Sequence, residues 1–189
     1  VSDPKRLRLV QERASGLSRA RNLGLRESRG RYLAYIDDDA IAQPDWLEQI
    51  IEGFFNHSSA VSVGGAIEPL WEKEKPRWVT PPMFTYFSCR SFGDAAGYMP
   101  AGAYFFGTNM AFTRQILESC GGFPTRLGRK GNNLLSNEEW PVFQYIDEQG
   151  FKKWYSPAIR VQHSVPGERM TMGFFVRRLW WQGVSNTIH

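Results

Sequence analysis

Apolar positions in this chain fall into two rhythms. Short, nearly continuous apolar runs occur at "RYLAYI" (31–36), "AVSVGGAI" (60–67) and "NMAFT" (109–113). Their length and β-branched or aromatic content predict buried strands. "RLRLVQE" (6–12) predicts a short strand before them, and "KKWYSP" (152–157) and "AIRVQH" (158–163) two more near the end. Between them the spacing turns helical. "SGLSRARNLGLRES" (15–28) predicts a helix with Ser15 as N-cap. "QPDWLEQIIEGFFNH" (43–57) predicts a helix with Pro44 in its first turn and Asp45 near its positive end. Leu47, Ile50, Ile51, Phe54 and Phe55 fall on one face of it. "RQILESCGG" (114–122) reads as a short helix closed by Gly121 or Gly122. "SNEEWPVFQYIDEQG" (136–150) and "TMGFFVRRLWWQGVS" (171–185) complete the helices.

Strands alternating with helices predict an α/β domain with a mostly parallel sheet. With 189 residues and no internal repeat or low-complexity linker, residues 1–189 are expected to form a single domain. Residues 68–102 break the rhythm with Pro69, Pro76, Pro81, Pro82 and Pro100, and are expected to be a long excursion facing substrate.

Composition narrows the classes. A chain 42% hydrophobic with both charge signs is globular, not disordered. A net charge of +4 suits an anionic ligand or surface and selects none. Nucleic-acid binding is disfavoured, because the basic residues are scattered and no recognition motif is present. Cys89 and Cys120 are the only cysteines, which argues against a disulfide scaffold. No run approaches the roughly 18 apolar residues of a spanning helix, and no signal peptide opens the chain. The expectation is a cytoplasmic protein, with contact at the inner face of the membrane left open.

The chemistry concentrates at two acidic stretches. Asp37, Asp38 and Asp39 follow directly on "RYLAYI". In α/β sheets, ligands bind beyond the C-terminal ends of strands. Adjacent carboxylates raise one another's proton affinity unless a cation intervenes. Mg²⁺ or Mn²⁺ typically takes one or two protein carboxylates and completes its shell with substrate phosphates. A metal–phosphate complex and a solvated loop whose acids form turns both fit. The second stretch is "SNEEW". Ser136 and Glu139 have capping-box spacing, while Glu138 or Glu139 could serve as a general base at a pocket rim.

In order along the chain, these segments resemble family 2 inverting glycosyltransferases of the GT-A (Rossmann-like) fold. "GLSRARNLGLRESRGRYLAYIDDD" is similar to that family's A-R-N helix, strand and D-x-D. "GTNMAFTRQILESCGGF" resembles its acceptor-side segment. "SNEEW" lies where the family has an acid pair, and "VQHSVPGERMTMGFFVRRLWWQG" resembles the closing histidine strand and basic helix. The resemblance implies a nucleoside diphosphate sugar donor, a saccharide or lipid-linked acceptor, and a Mn²⁺ or Mg²⁺ ion. It implies Asp39 and His163 as metal ligands, and Asp37, Asp38, Arg21, Asn109 and Arg177 at the donor. Glu139 falls at the catalytic base, with Glu138 beside it at the acceptor site. A role in cell-surface polysaccharide or glycolipid synthesis follows.

Three departures accompany the resemblance. Glu139 stands where the family often has Asp. The family's two opening strands, which carry most of the base pocket, have no counterpart, so the chain is expected to be a fragment. There is no Q-x-x-R-W, which disfavours a processive synthase. Two other functions remain open. An aspartyl-phosphate phosphohydrolase would use Asp37 as nucleophile, although Ile41 stands where such enzymes carry Thr or Val. A non-catalytic sugar- or nucleotide-binding module is the other. "FFVRRLWWQG" is expected to pack into the core, its arginines reaching water past the apolar surface. Membrane-surface contact is the competing expectation.

Overall fold

The computed structural model describes residues 7–129, 131 and 133–188. The order is α1 (Leu17–Glu27), β1 (Tyr32–Tyr35), β2 (Ala40–Ala42), α2 (Trp46–Asn56) and β3 (Ala60–Trp71). A 3-10 helix at Pro81–Phe87 and β4 (Gly97–Tyr98) follow, then β5 (Met110–Thr113), α3 (Arg114–Ser119) and α4 (Trp140–Glu148). The long β6 (Lys152–Val165), a 3-10 turn at Gly167–Arg169 and α5 (Met172–Thr187) complete the chain.

The α/β architecture matches the expectation, but the sheet is mixed. Its order is β1-β5-β3-β6-β2, with β4 also on β6. Among the described residues, β3 and β6 are the only hydrogen-bonded pair that runs parallel. β5 inserts antiparallel between β1 and β3, so β1, β3 and β6 still point the same way. The expected mostly parallel sheet is corrected to that extent. Alternation along β5 feeds both faces. Ala111 packs with Trp46, Ile50 and Phe54 of α2, while Met110 and Phe112 pack with Val142, Phe143 and Ile146 of α4.

Several local expectations shift. Residues 7–12 form no strand, and Arg6 lies outside the described residues. Helix α1 begins after Gly16 (φ 147°), not at a Ser15 cap. Its Leu17 N–H donates to the Arg129 carbonyl at 3.1 Å, which satisfies one of the free donors of the first turn. Helix α2 is rolled relative to the predicted face. Trp46, Ile50, Gly53 and Phe54 are buried, while Leu47, Ile51 and Phe55 are exposed. Two contacts fix this roll. The Trp46 indole N–H donates to Asn109, and Gly53 sits so close to Val63 that a Cβ would lie 2.8 Å from its Cγ1.

The two expected strands near the end are one strand, β6. Pro157 and its neighbours bulge out between the Gly65–Ser156 and Ile67–Val161 pairs. β3 continues four residues past its predicted end; β4 falls within the 68–102 excursion, and β2 is an additional short strand before α2. Helix α5 is amphipathic in an unexpected sense. Phe175 and Arg178 are buried, but Met172, Val176 and Trp180 face outward, so only half of the expected core packing is present. Among the described residues no helix is long and apolar enough to cross a membrane.

Candidate active site

The sheet places the aspartates where β1 ends. Asp37 closes a turn by accepting the Ala40 N–H at 3.1 Å, and β2 then pairs with β6 so that Ala40 lies opposite His163. The Ser164 N–H donates to the Asp39 carbonyl at 2.8 Å. These backbone bonds set the Asp39 carboxylate against the buried His163. Oδ1 is 3.3 Å from His163 Nε2, and Oδ2 is 3.5 Å from Arg169 Nη1. The His163 hydrogen bond holds the Asp39 carboxyl below its usual range, with the charges of His163 and Arg169 adding to it against burial.

Arg21 on α1 is the hub of the second cluster. It is 6% exposed and faces three carboxylates. Nη1 donates to Glu138 at 2.7 Å and lies 3.6 Å from Glu139, while Nη2 donates to Asp37 at 3.2 Å. Burial works against its charge, but Glu139, Glu138 and Asp37 outweigh burial and hold the guanidinium above its ordinary range. Its head lies over Gly107, where a Cβ would stand 1.8 Å from Nη2. The second oxygen of Asp37 accepts from the Thr108 hydroxyl at 2.8 Å.

The turn before α4 aims both glutamates inward. Asn137 has φ 70°, a left-handed conformation that Asn tolerates. The expected capping box does not form. Helix α4 starts at Trp140, with Glu139 at the capping position and no side-chain cap. The Ser136 hydroxyl turns instead toward Gln182 and Ser185 of α5. Glu139, 8% exposed, accepts the Gly107 N–H at 2.7 Å. Burial first, then the neighbouring Glu138, pushes the Glu139 carboxyl up to about 7, against Arg21 and the Gly107 N–H. A carboxyl near neutrality at a cleft is suited to taking and returning a proton.

Both clusters line one cleft of about 380 Å³, together with Asp38, Tyr86, Tyr104, Thr108, Arg178 and Gln182. A second open groove of about 470 Å³ runs between α1 and the outer edge of β1, which is unpaired among the described residues, and shares Arg21, Asp37 and Asp38 with the first. The excursion contributes Thr85, Tyr86 and Ser88 to the cleft.

Two expected donor residues lie elsewhere. Asn109 is fully buried and its amide is occupied in the core. It accepts from Trp46 at 2.9 Å and donates to the carbonyls of Ala66 and Ile159 at 3.0 and 2.8 Å. Arg177 is exposed, with its guanidinium 5.9 Å from the Phe174 ring centre. It is the next residue, Arg178, that faces the cleft. Helix phase carried that signal, since Arg178 lies three residues after the buried Phe175 and four before Gln182. Thr108, Gly107 and Arg169 also escaped the sequence reading, and nothing in their spacing marks them.

The donor set fits a divalent ion in part. A separation of 3.3 Å between Asp39 Oδ1 and His163 Nε2 is close to the edge of an octahedron with metal–ligand bonds of about 2.1 Å. Among the described residues no group of three His, Cys, Asp or Glu side chains is arranged to hold a metal. An ion here would draw the rest of its shell from phosphate oxygens and water.

Residues 2–121 match Glycosyl transferase family 2, and the chain belongs to that family. Over 176 residues it is 34% identical to the glucosyl-dolichyl phosphate glucuronosyltransferase of Haloferax volcanii, covering 92% of this chain and 55% of that protein. It is 27% identical over 178 residues to the succinoglycan biosynthesis protein ExoM of Rhizobium meliloti, covering 91% of this chain and 52% of that one. The chain thus spans about half the length of these relatives. Its fold is similar to GalNAc-T7, solved with UDP, GalNAc and Mn²⁺, with a TM-score of 0.55 at 20% identity over 90% of this chain and 35% of that one. It is also similar to the mannosyltransferase PcManGT of Pyrobaculum calidifontis, solved with GDP-Man and Mn²⁺, with a TM-score of 0.53 at 20% identity over 85% and 39% of the two chains. The fold is GT-A.

Proposed function

We propose that this protein is a divalent-metal-dependent inverting transferase. It moves a sugar from a nucleoside diphosphate to an acceptor hydroxyl in the assembly of a glycolipid or cell-surface polysaccharide. The observation that carries this reading is one cleft with two differently prepared acidic centres. Asp39 is ionised beside His163 and Arg169, and Glu139 is buried with its carboxyl near neutrality.

Asp39 and His163 would hold Mn²⁺ or Mg²⁺, which supplies positive charge to the departing diphosphate. Asp37 and Asp38 border the groove beside β1, and this reading assigns that groove to the nucleoside. Glu139 accepts the proton of the acceptor hydroxyl as its oxygen attacks the anomeric carbon. The bond from that carbon to the diphosphate breaks on the opposite face, and its electron pair leaves with the phosphate oxygen. Arg21 ties Glu138 down, so the two adjacent acids do not share the task. Holding both substrates in line removes much of the entropic barrier.

The names of the relatives support the acceptor class, since one contains a glucosyl-dolichyl phosphate and the other succinoglycan biosynthesis. The outward row Met172, Val176 and Trp180 with Arg177, on a helix without acidic residues, supports work at the cytoplasmic face of an anionic membrane. The phosphohydrolase alternative is disfavoured by Asp37, whose two oxygens are occupied by Arg21 and Thr108 instead of being free to attack.

The test is nucleoside diphosphate release from a panel of UDP- and GDP-sugars with Mn²⁺. Release that disappears in Asp39→Ala and Glu139→Gln is expected. Hydrolysis of p-nitrophenyl phosphate without sugar-nucleotide turnover would overturn the reading.

A further inference from the structure

Two arginines are buried at this cleft, and they are treated differently. Arg21 meets three carboxylates. Arg178, 7% exposed, enters none of the ion pairs among the described residues. Its Nη2 donates to Gln182 at 3.0 Å, and its contacts with the Leu134 carbonyl and the Ser136 hydroxyl stretch to 3.4 Å. Its buried Nε–H has no acceptor among the described residues. A second cation, Arg129, lines the same end of the cleft. Burial, then the like charge of Arg129, pulls the Arg178 guanidinium below its ordinary range, against Glu138 and Glu139. Arranging a buried cation beside another, with a donor left over, is unfavourable unless an anion from outside the protein completes it.

The surroundings hold Arg178 rigidly enough to be a site. Gln182 is fixed by Asn137 and Asn186 at 3.0 and 2.9 Å, and Ser136 is fixed by Ser185. A guanidinium fork with an adjacent hydroxyl and a second arginine matches the planar or tetrahedral oxygens of a carboxylate or phosphate. The groups that act on Arg178 are Arg129, Glu138, Glu139 and Tyr104, at the base end of the cleft. Those that act on Asp39 are His163 and Arg169, at the other centre.

We propose that Arg178 and Arg129 form a binding site for an oxyanion carried by the acceptor, beside the glutamate that takes the acceptor's proton. This rests on the transferase reading above and narrows it: the acceptor is a saccharide or carrier bearing a phosphate or carboxylate, not a neutral sugar. The oxyanion is salt-bridged by Arg178 and Arg129 and hydrogen-bonded by Ser136.

Two measurements on the purified protein test the proposal. In the first, phenyl phosphate and benzoate are titrated calorimetrically into wild type, Arg178→Gln, Arg178→Lys and Arg129→Gln, each checked for folding by circular dichroism. Binding weakened about tenfold or more in Arg178→Gln, and less in Arg178→Lys, is expected. If Arg178→Gln does not fold, Arg178→Lys and Arg129→Gln carry the comparison. Equal affinity in the folded variants and wild type overturns the site, whether or not transfer is observed. In the second, kcat/KM is compared for matched acceptors with and without a phosphate group. A wild-type preference for the phosphorylated acceptor, erased in Arg178→Gln, is expected. If Arg178→Gln instead raises KM for the donor equally with both acceptors, the oxyanion belongs to the donor and the proposal fails. Absence of sugar-nucleotide turnover in wild type would defeat the transferase reading alone, since the titration reads the anion site independently.

Discussion

Glu138 and Glu139 are consecutive in the chain yet answer to different partners. Glu138 accepts from Arg21 Nη1 at 2.7 Å, while Glu139 stands 3.6 Å from the same nitrogen and accepts the Gly107 N–H. One acid is tied into a buried ion pair and the other is left with a carboxyl near neutrality. Replacing Glu139 by Gln keeps the shape and removes the base. Turnover is expected to fall by about 10²–10⁴-fold, with little change in donor affinity. Nucleoside diphosphate release and calorimetry check the two halves.

The proton on Glu139 also predicts pH dependence. A base must be ionised to act, so kcat/KM rises with pH through about 7 in the wild type. Stability moves the other way. The fold binds this proton more tightly than the unfolded chain does, so protonation stabilises the folded state. That contribution is complete below pH 4.5 and is lost as pH rises to about 7. Urea denaturation at a series of pH values should show this fall in wild type and not in Glu139→Gln.

Arg21 holds the two halves of the site together. Its replacement by Met strands Glu138 and Asp37, and the fold is expected to lose about 3–5 kcal/mol, as when one partner of a buried pair is removed. Gly107→Ala should act in the same direction, because the new Cβ would occupy the space of the guanidinium. Urea midpoints at pH 7 measure both.

Asp39→Asn should leave the fold in place and weaken nucleotide binding only when Mn²⁺ is present, by roughly tenfold or more if the ion bridges carboxylate and phosphates. Titration of UDP and GDP with and without Mn²⁺ separates this from a general loss. An effect equal in both conditions would argue against a metal at Asp39.

Trp180 is 63% exposed on α5, in a row with Met172 and Val176. Vesicles containing anionic lipid should shift its fluorescence to the blue, neutral vesicles much less. Val176→Asp should abolish the shift.

What could be read from the sequence follows from how locally each feature is encoded. The core helices and principal strands are carried by apolar spacing within single segments. The acidic stretch 37–39 and the pair 138–139 are visible because like charges cluster in the chain itself. The strand direction at β5 is set by a distant pairing, and the sequence of β5 looks the same either way. The roll of α2 is decided by Gly53 against Val63 and by Trp46 against Asn109, contacts between segments far apart in the chain. The place of Asn109 is decided in the same way. Its polar amide suggested a ligand contact, yet it serves three buried partners. Arg177 and Arg178 differ only in helix phase, and the packing of α5 on the 3-10 helix at Pro81–Phe87 and on residues 134–137 chooses between them.

The most direct test of the account is nucleoside diphosphate release from sugar nucleotides in Mn²⁺, followed alongside donor binding for wild type, Glu139→Gln and Asp39→Asn. Wild type is expected to bind and turn over a donor, Glu139→Gln to bind it without turnover, and Asp39→Asn to lose the Mn²⁺-dependent part of binding. Full turnover in folded Glu139→Gln would contradict it.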